Sequence, residues 1–218
     1  MNLHAWKLWS LDGKPTQGTE DIVAILEHVL ASDPMHMGAL HFYVHTMEAS
    51  PTPEKAVAAA ERLRGLAPAA GHLEHMPAHI LHRVGRFEES AEANRKGAAA
   101  DVRYLAATTP LDYYPMYFSH NYQFLAYSAA AAGRDAETID AAKRSRASIG
   151  DELLKTMPGV DWYVAELYFA YVRFGHWDEL LAEAAPDAQL PGLTGGYLYA
   201  TAVALAAKGR VAEARERL

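Results

Sequence analysis

The sequence predicts an all-α fold, a right-handed superhelix of about five antiparallel helix pairs (an α-solenoid). Three observations carry that prediction. Alanine-rich segments at helical periodicity fill the 218 residues, and Gly/Pro-bounded strand patterns are hard to find. Four joints repeat one local form, a glycine followed by a basic residue or histidine, a spacer and an acidic stretch. They are Gly85-Arg86-Phe87-Glu88-Glu89, Gly133-Arg134-Asp135-Ala136-Glu137, Gly175-His176-Trp177-Asp178-Glu179 and Gly209-Arg210-Val211-Ala212-Glu213. The third observation is a set of histidines that recurs at 34 residues.

The elements follow in order. A leader with a first helix at about 19–31 opens the chain, started by Thr19 with Glu20 and Asp21 in the first turn, where the helix dipole favours acids. Helix pairs are expected at about 37–67, 71–105, 115–148, 158–185 and 194–218. Each joint glycine ends one helix in the left-handed conformation that costs other residues most, and the acids begin the next. The glycines are spaced by 48, 42 and 34, and aligning Ala56 with Ala91 adds an interval of 35. A period near 34 built from antiparallel helices resembles the tetratricopeptide (TPR) repeat family. The expected organisation is a single repeat domain over 1–218: a leader at 1–36, histidine-rich repeats at 37–148 and generic repeats at 149–218. The last helix lacks a polar cap, which repeat arrays need for solubility, and Trp6 and Trp9 need something to bury against. Both features point to a piece of a longer chain or to a homo-oligomer formed through uncapped ends.

Composition excludes several classes of function. Half of the residues are apolar, enough for a sizeable core. Without cysteine there is no disulfide framework, sulfur-bound metal or thiol nucleophile. A net charge of −7 argues against a nucleic-acid partner, which wants clustered Lys and Arg. No apolar run approaches a membrane span and the N-terminus lacks a secretory pattern, so a cytoplasmic protein without a membrane partner is expected. What stands out is eleven histidines.

Those histidines are ordered. His41 and His45 are four apart, with Glu48 three further on, so all three share one helix face. His75 and His79 repeat the spacing, with His72 and His82 three residues outside them. His41 to His75, His45 to His79 and Glu48 to His82 are each 34 residues, one repeat. His120 precedes Gly133 by 13 residues, as His72 precedes Gly85. In stacked TPRs the first helices line the concave face, so the resemblance gathers His41, His45, Glu48, His72, His75, His79 and His120 in one groove. Imidazoles from neighbouring helices can meet at a metal with bonds of about 2.0–2.1 Å. With nitrogen and oxygen donors and no sulfur, the candidates are Zn²⁺, Cu²⁺ and Fe²⁺, as one ion or a pair. The expected ligands are His41, His45, His72, His75 and His79. Glu48 is the candidate ligand or general base, and His120 the candidate to complete the shell or orient substrate. A shared packing role for the stripe is the alternative. Pro77, between His75 and His79, either kinks the helix or opens its first turn.

An insertion over 108–118 accounts for most of the long 48-residue spacing and predicts a pocket wall. Tyr113, Tyr114, Tyr117, Phe118, Tyr122, Phe124 and Tyr127 make it aromatic, while Asn121 and Gln123 add amides. Tyr113, Tyr117, Asn121, Gln123 and, from the preceding pair, Tyr104 are the candidate contacts to a small molecule or peptide. Gap-filling between irregular repeats is the competing reading.

Over roughly residues 1–150 the chain is similar to a largely uncharacterised bacterial group of TPR proteins. The similarity rests on His41-Phe42-Tyr43-Val44-His45-Thr46-Met47-Glu48, on Gly71-His72-Leu73-Glu74-His75-Met76-Pro77-Ala78-His79-Ile80 and on Arg83-Val84-Gly85-Arg86. Members tend to carry His-Asn-x-His where this chain has His120-Asn121-Tyr122-Gln123, and they extend further at the N-terminus. The resemblance implies motifs but no activity. Three functions fit: a metal-dependent hydrolase or oxidoreductase, a peptide-binding repeat module, or a metal store.

Overall fold

The four joints close alike. Gly85, Gly133, Gly175 and Gly209 have φ of 80°, 75°, 75° and 77°, the left-handed region that a Cβ disfavours. At each, the glycine N–H donates to the carbonyl three residues back, and the next N–H donates to the carbonyl five back. Gly85 N to His82 O (3.1 Å) and Arg86 N to Leu81 O (2.8 Å) illustrate the pair. This is the Schellman motif, which satisfies carbonyls that a helix end leaves open. The residue after each glycine then pairs with the acid three positions on. Arg86 Nε donates to Glu89 Oε1 (2.6 Å), His176 Nδ1 meets Glu179 Oε1 (3.0 Å), and Arg210 Nε donates to Glu213 Oε1 (2.7 Å). Arg134 stands 3.9 Å from Glu137. The recurring motif therefore ends one helix and anchors the start of the next.

The computed structural model describes residues 7–109, 114–157 and 159–217. The chain divides into two compact units, Met1–Thr109 and Pro110–Leu218. Among the described residues the regular structure is helical, apart from one isolated antiparallel bridge between Trp9 and Pro15. No helix among them is long and apolar enough to cross a membrane.

In the first unit, α1 (Thr19–Ser32) leads into α2 (Met37–Glu48). A 3-10 turn (Pro53–Ala56) then runs into α3 (Val57–Leu63), followed by α4 (Gly71–His75), α5 (Pro77–Arg83) and α6 (Phe87–Ala107). The core is Leu40, Tyr43, Val44 and Met47 of α2 against Ala59, Ala60 and Leu63 of α3, closed by Met76 and Ile80. Trp9 packs on this core and donates its Nε1–H to Thr46 O (2.7 Å). The leader tryptophan is thus covered within its own unit, where the sequence left its cover open. Trp6 lies outside the described residues.

In the second unit, α7 (Tyr114–Ala131) pairs with α8 (Asp135–Ser148), α10 (Glu166–Phe174) with α11 (Trp177–Ala182), and α12 (Pro191–Ala207) with α13 (Val211–Glu216). The short α9 (Asp151–Lys155) and a 3-10 turn (Asp161–Ala165) precede α10. Small residues let α7 and α8 approach, and Ser119 Oγ lies 2.9 Å from Ser145 Oγ in the buried seam. Buried Asp161 accepts the N–H groups of Gly192 (2.5 Å) and Leu193 (3.0 Å), donors that the start of α12 leaves open. With the leader helix, these are the five pairs that periodicity predicts. Most of the 108–118 insertion's tip, 110–113, lies outside the described residues, and Tyr113 with it.

Candidate metal centre

Close helix packing presents the histidines. Gly71 of α4 and Gly97 of α6 meet backbone to backbone: a Cβ on Gly71 would stand 2.7 Å from Gly97 O and 1.9 Å from Asp101 Oδ1. A Cβ on Gly97 would reach within 2.9 Å of His75 Cβ. Only glycine allows α4 to ride this near α6, and the approach sets where His72 and His75 stand. Pro77 is the first residue of α5, where a missing N–H costs nothing. Met76 keeps right-handed helical dihedrals across the joint, so His75 and His79 still turn toward each other. On the other side, α5 packs on α2, and Arg83 Nη2 donates to Ser50 O (3.2 Å) just past the end of α2.

Five imidazoles and one carboxylate converge between these helices. His41, His45 and His72 each offer a ring nitrogen, and the three atoms lie within 4.8 Å of one another, close enough to hold a metal ion. His41 Nε2 and His72 Nε2 are 3.1 Å apart. Two nitrogens on one tetrahedral zinc stand about 3.3 Å apart, given bonds of about 2.0–2.1 Å. His45 Nδ1 lies 3.1 Å from Glu48 Oε1, and His79 Nδ1 contacts Glu48 Oε2. His79 Nε2 lies 2.8 Å from His75 Nε2, and His75 Nδ1 lies 2.6 Å from Asn94 Oδ1. Asn94 Nδ2 donates to Ser90 O (2.9 Å), which leaves its Oδ1 as the acceptor. Neighbouring rings stand 4.6 to 6.0 Å apart between centroids along the row from His41 to His79.

Electrostatics keeps His41 and His72 uncharged beside the Glu48 anion. Burial first, then the like charges of His45 and His79, pushes His41 down to about 4. Burial and the neighbouring imidazoles push His72 to about 3. Both are neutral at pH 7, the form that binds metals. For Glu48 burial pulls upward, but hydrogen bonds from His45 and His79 outweigh it and hold the carboxyl at about 2. Glu48 is therefore an ionised acceptor, and each histidine facing it donates from Nδ1. A carboxylate that fixes an imidazole tautomer in this way leaves Nε2 for a metal.

The remaining sequence-predicted residues have other surroundings within their own units. His82 stands against Phe87, ring centroids 5.0 Å apart, and is pushed down to about 4 by burial and then by Arg83. His120 belongs to the second unit, where Nδ1 lies 2.5 Å from the Tyr163 hydroxyl and the ring meets Phe124. Asn121 is buried, Gln123 is partly buried, and Tyr117 and Tyr104 are exposed. His36, outside the 34-residue register, caps α2 by accepting Ala39 N–H at Nδ1 (3.1 Å).

Two participants escaped the sequence reading. Asn94 orients His75 from α6, and its signal was available: Ser90, Asn94 and Asp101 are polar positions on a buried small-residue stripe that periodicity would make apolar. Tyr163, the partner of His120, sits on a 3-10 turn 43 residues away and left no pattern to read.

Paired antiparallel helices, Schellman joints and repeat-spaced first helices together make this a TPR-like helical fold. Among solved structures the chain is similar to MamA, "Crystal structure of MamA", itself a TPR-like helical protein. The match has 14% identity and a TM-score of 0.52, over 88% of this chain and 89% of that one, a likeness of fold alone. No protein-family model and no curated protein matches the chain.

Proposed function

We propose that the chain is a metal-dependent enzyme whose site is the cluster of His41, His45, His72, His75 and His79, held in place by Glu48. The observation that carries this reading is the triad His41, His45 and His72, three imidazole nitrogens within 4.8 Å of one another. Neutral imidazoles suit Zn²⁺, Cu²⁺ or Fe²⁺, in line with the all-nitrogen donor set. Such a metal lowers the pKa of bound water or engages O₂, so hydrolysis and oxidation are the two reaction classes. Three protein ligands leave a coordination position open for a small molecule or peptide, as catalytic sites require. Glu48, with both oxygens engaged by His45 and His79, acts as the positioning group. The reading includes kinship with the bacterial TPR group that the motifs around His41–Glu48 and His72–Ile80 resemble, and a cytoplasmic setting without nucleic-acid or membrane partners.

Metal analysis of protein grown with Zn, Cu and Fe supplied tests the reading. Wild type is expected to carry stoichiometric metal that the double variant His41→Ala/His72→Ala loses while keeping its helical circular dichroism. Metal-free wild-type protein would sink it, and substrate screening of the loaded form then separates enzyme from store. A peptide-binding repeat module is the second reading, favoured by exposed Tyr127, Trp162, Phe169 and Tyr199 in the second unit.

A further inference from the structure

The hydrogen bonds around the cluster divide it in two. Asn94 has committed its amide N–H to Ser90 O, so its Oδ1 takes a proton from His75 Nδ1. The Glu48 carboxylate accepts at both oxygens, from His45 Nδ1 and from His79 Nδ1. His75 and His79 therefore both spend their ring proton outward. Their Nε2 atoms face each other at 2.8 Å, each bearing a lone pair. Two lone pairs at that distance repel unless a cation or an extra proton stands between them. In the other half of the cluster, His41 Nε2 and His72 Nε2 stand 3.1 Å apart.

We propose that the cluster is a two-metal site: His41, His45 and His72 hold one ion, His75 and His79 hold a second, and Glu48 links the two shells. This rests on the metal-binding reading above and deepens it. At bonds of about 2.0–2.1 Å, nitrogens 2.8 Å apart subtend roughly a right angle at the ion, the cis arrangement of tetragonal Cu²⁺. Asn94 and Glu48 supply the outer hydrogen bonds that metal-bound histidines need to fix their tautomer. The carboxylate also offsets the repulsion between two divalent ions whose ligands are all neutral. His45 and His79, one from each set, have ring centroids 5.3 Å apart, so the two ligand sets adjoin.

Cu²⁺ alone is the probe, titrated into the chelator-stripped full chain with calorimetric counting and electron paramagnetic resonance. Wild type is expected to take two equivalents, the second producing a magnetically coupled spectrum. His41→Gln and His72→Gln should each leave one equivalent with an isolated mononuclear signal, and so should His75→Gln and His79→Gln. Glu48→Gln should weaken both equivalents by about 10–100-fold, whereas Asn94→Leu should weaken only the second, with Asn94→Asp restoring it. Circular dichroism identifies any variant that fails to fold, and Asn94→Asp, which keeps the acceptor, is the conservative control. One equivalent in wild type, with a proton then shared by His75 and His79, overturns the two-metal assignment and leaves the metal reading standing. A second equivalent that survives both His75→Gln and His79→Gln overturns it too. No binding at all overturns both.

Discussion

The two units are built with the same joints and filled with different chemistry. In the first, imidazoles are taken out of water and held neutral: burial drives His41 and His72 far below the ordinary histidine range. In the second, His176 stays near the surface between Asp135 (2.9 Å) and Glu179 (3.0 Å), and those hydrogen bonds raise its pKa, Asp135 the more strongly. One unit stores lone pairs and the other keeps a conventional ion pair at a helix joint. The joint motif sets where helices turn, and the residues on the facing surfaces decide what the turn is used for.

The sharpest way to break the contrast is to separate α4 from α6. Gly71→Ala would drive a Cβ into Gly97 O and Asp101, so a loss of about 3 kcal/mol or more and the loss of metal binding are expected by thermal melting and metal analysis. Gly195→Ala is the matched control, because nothing lies within 4 Å of its Cβ position in α12. It should gain about 0.5–1 kcal/mol, and a comparable loss at both glycines would show that close packing is not special to the first unit.

Metal removal comes next in size. A ligand at about 100 times its dissociation constant stabilises by about 2.7 kcal/mol, so chelation should lower the melting temperature of wild type but not of His41→Ala/His72→Ala. Equal shifts in both would detach the stabilisation from the triad.

Opposite pH responses follow from the opposite shifts. His41 and His72 have folded pKa values of about 4 and 3 against the ordinary 6.5, so between these values the unfolded chain binds more protons. Stability of the chelator-treated protein therefore falls as pH drops from about 6.5 toward 4, and Glu48, held at about 2 against 4.5, adds a loss below that. Denaturant titration across this range should show the decline, reduced in His41→Gln/His72→Gln. His176 runs the other way. Its folded pKa is raised, so its stabilisation is complete below 6.5 and disappears as pH rises through the raised value. His176→Gln should cost about 0.5–1 kcal/mol at pH 6 and almost nothing at pH 9, and a pH-independent cost would mean the ring matters only by packing.

Much of this was readable in the sequence. The helix pairs and their joints were legible because periodicity and a left-handed glycine are local properties, set within a few residues. The 34-residue register of His41 with His75 and of His45 with His79 was legible because it is arithmetic on the chain. The roles within the cluster were not. Spacing offered Glu48 as ligand or general base, yet both of its oxygens are taken up by histidines from two helices. Trp9 found its cover in the α2–α3 core, a contact that no pattern in the leader announces.

By itself, then, the sequence determined the helices, their punctuation and which histidines share a face, since these follow from backbone preference and a 3.6-residue period. Only the tertiary structure decided which nitrogen of each ring points inward. That choice depends on where Asn94 and Glu48 sit in space, and hydrogen bonds between helices are set by packing, which no one-dimensional spacing encodes.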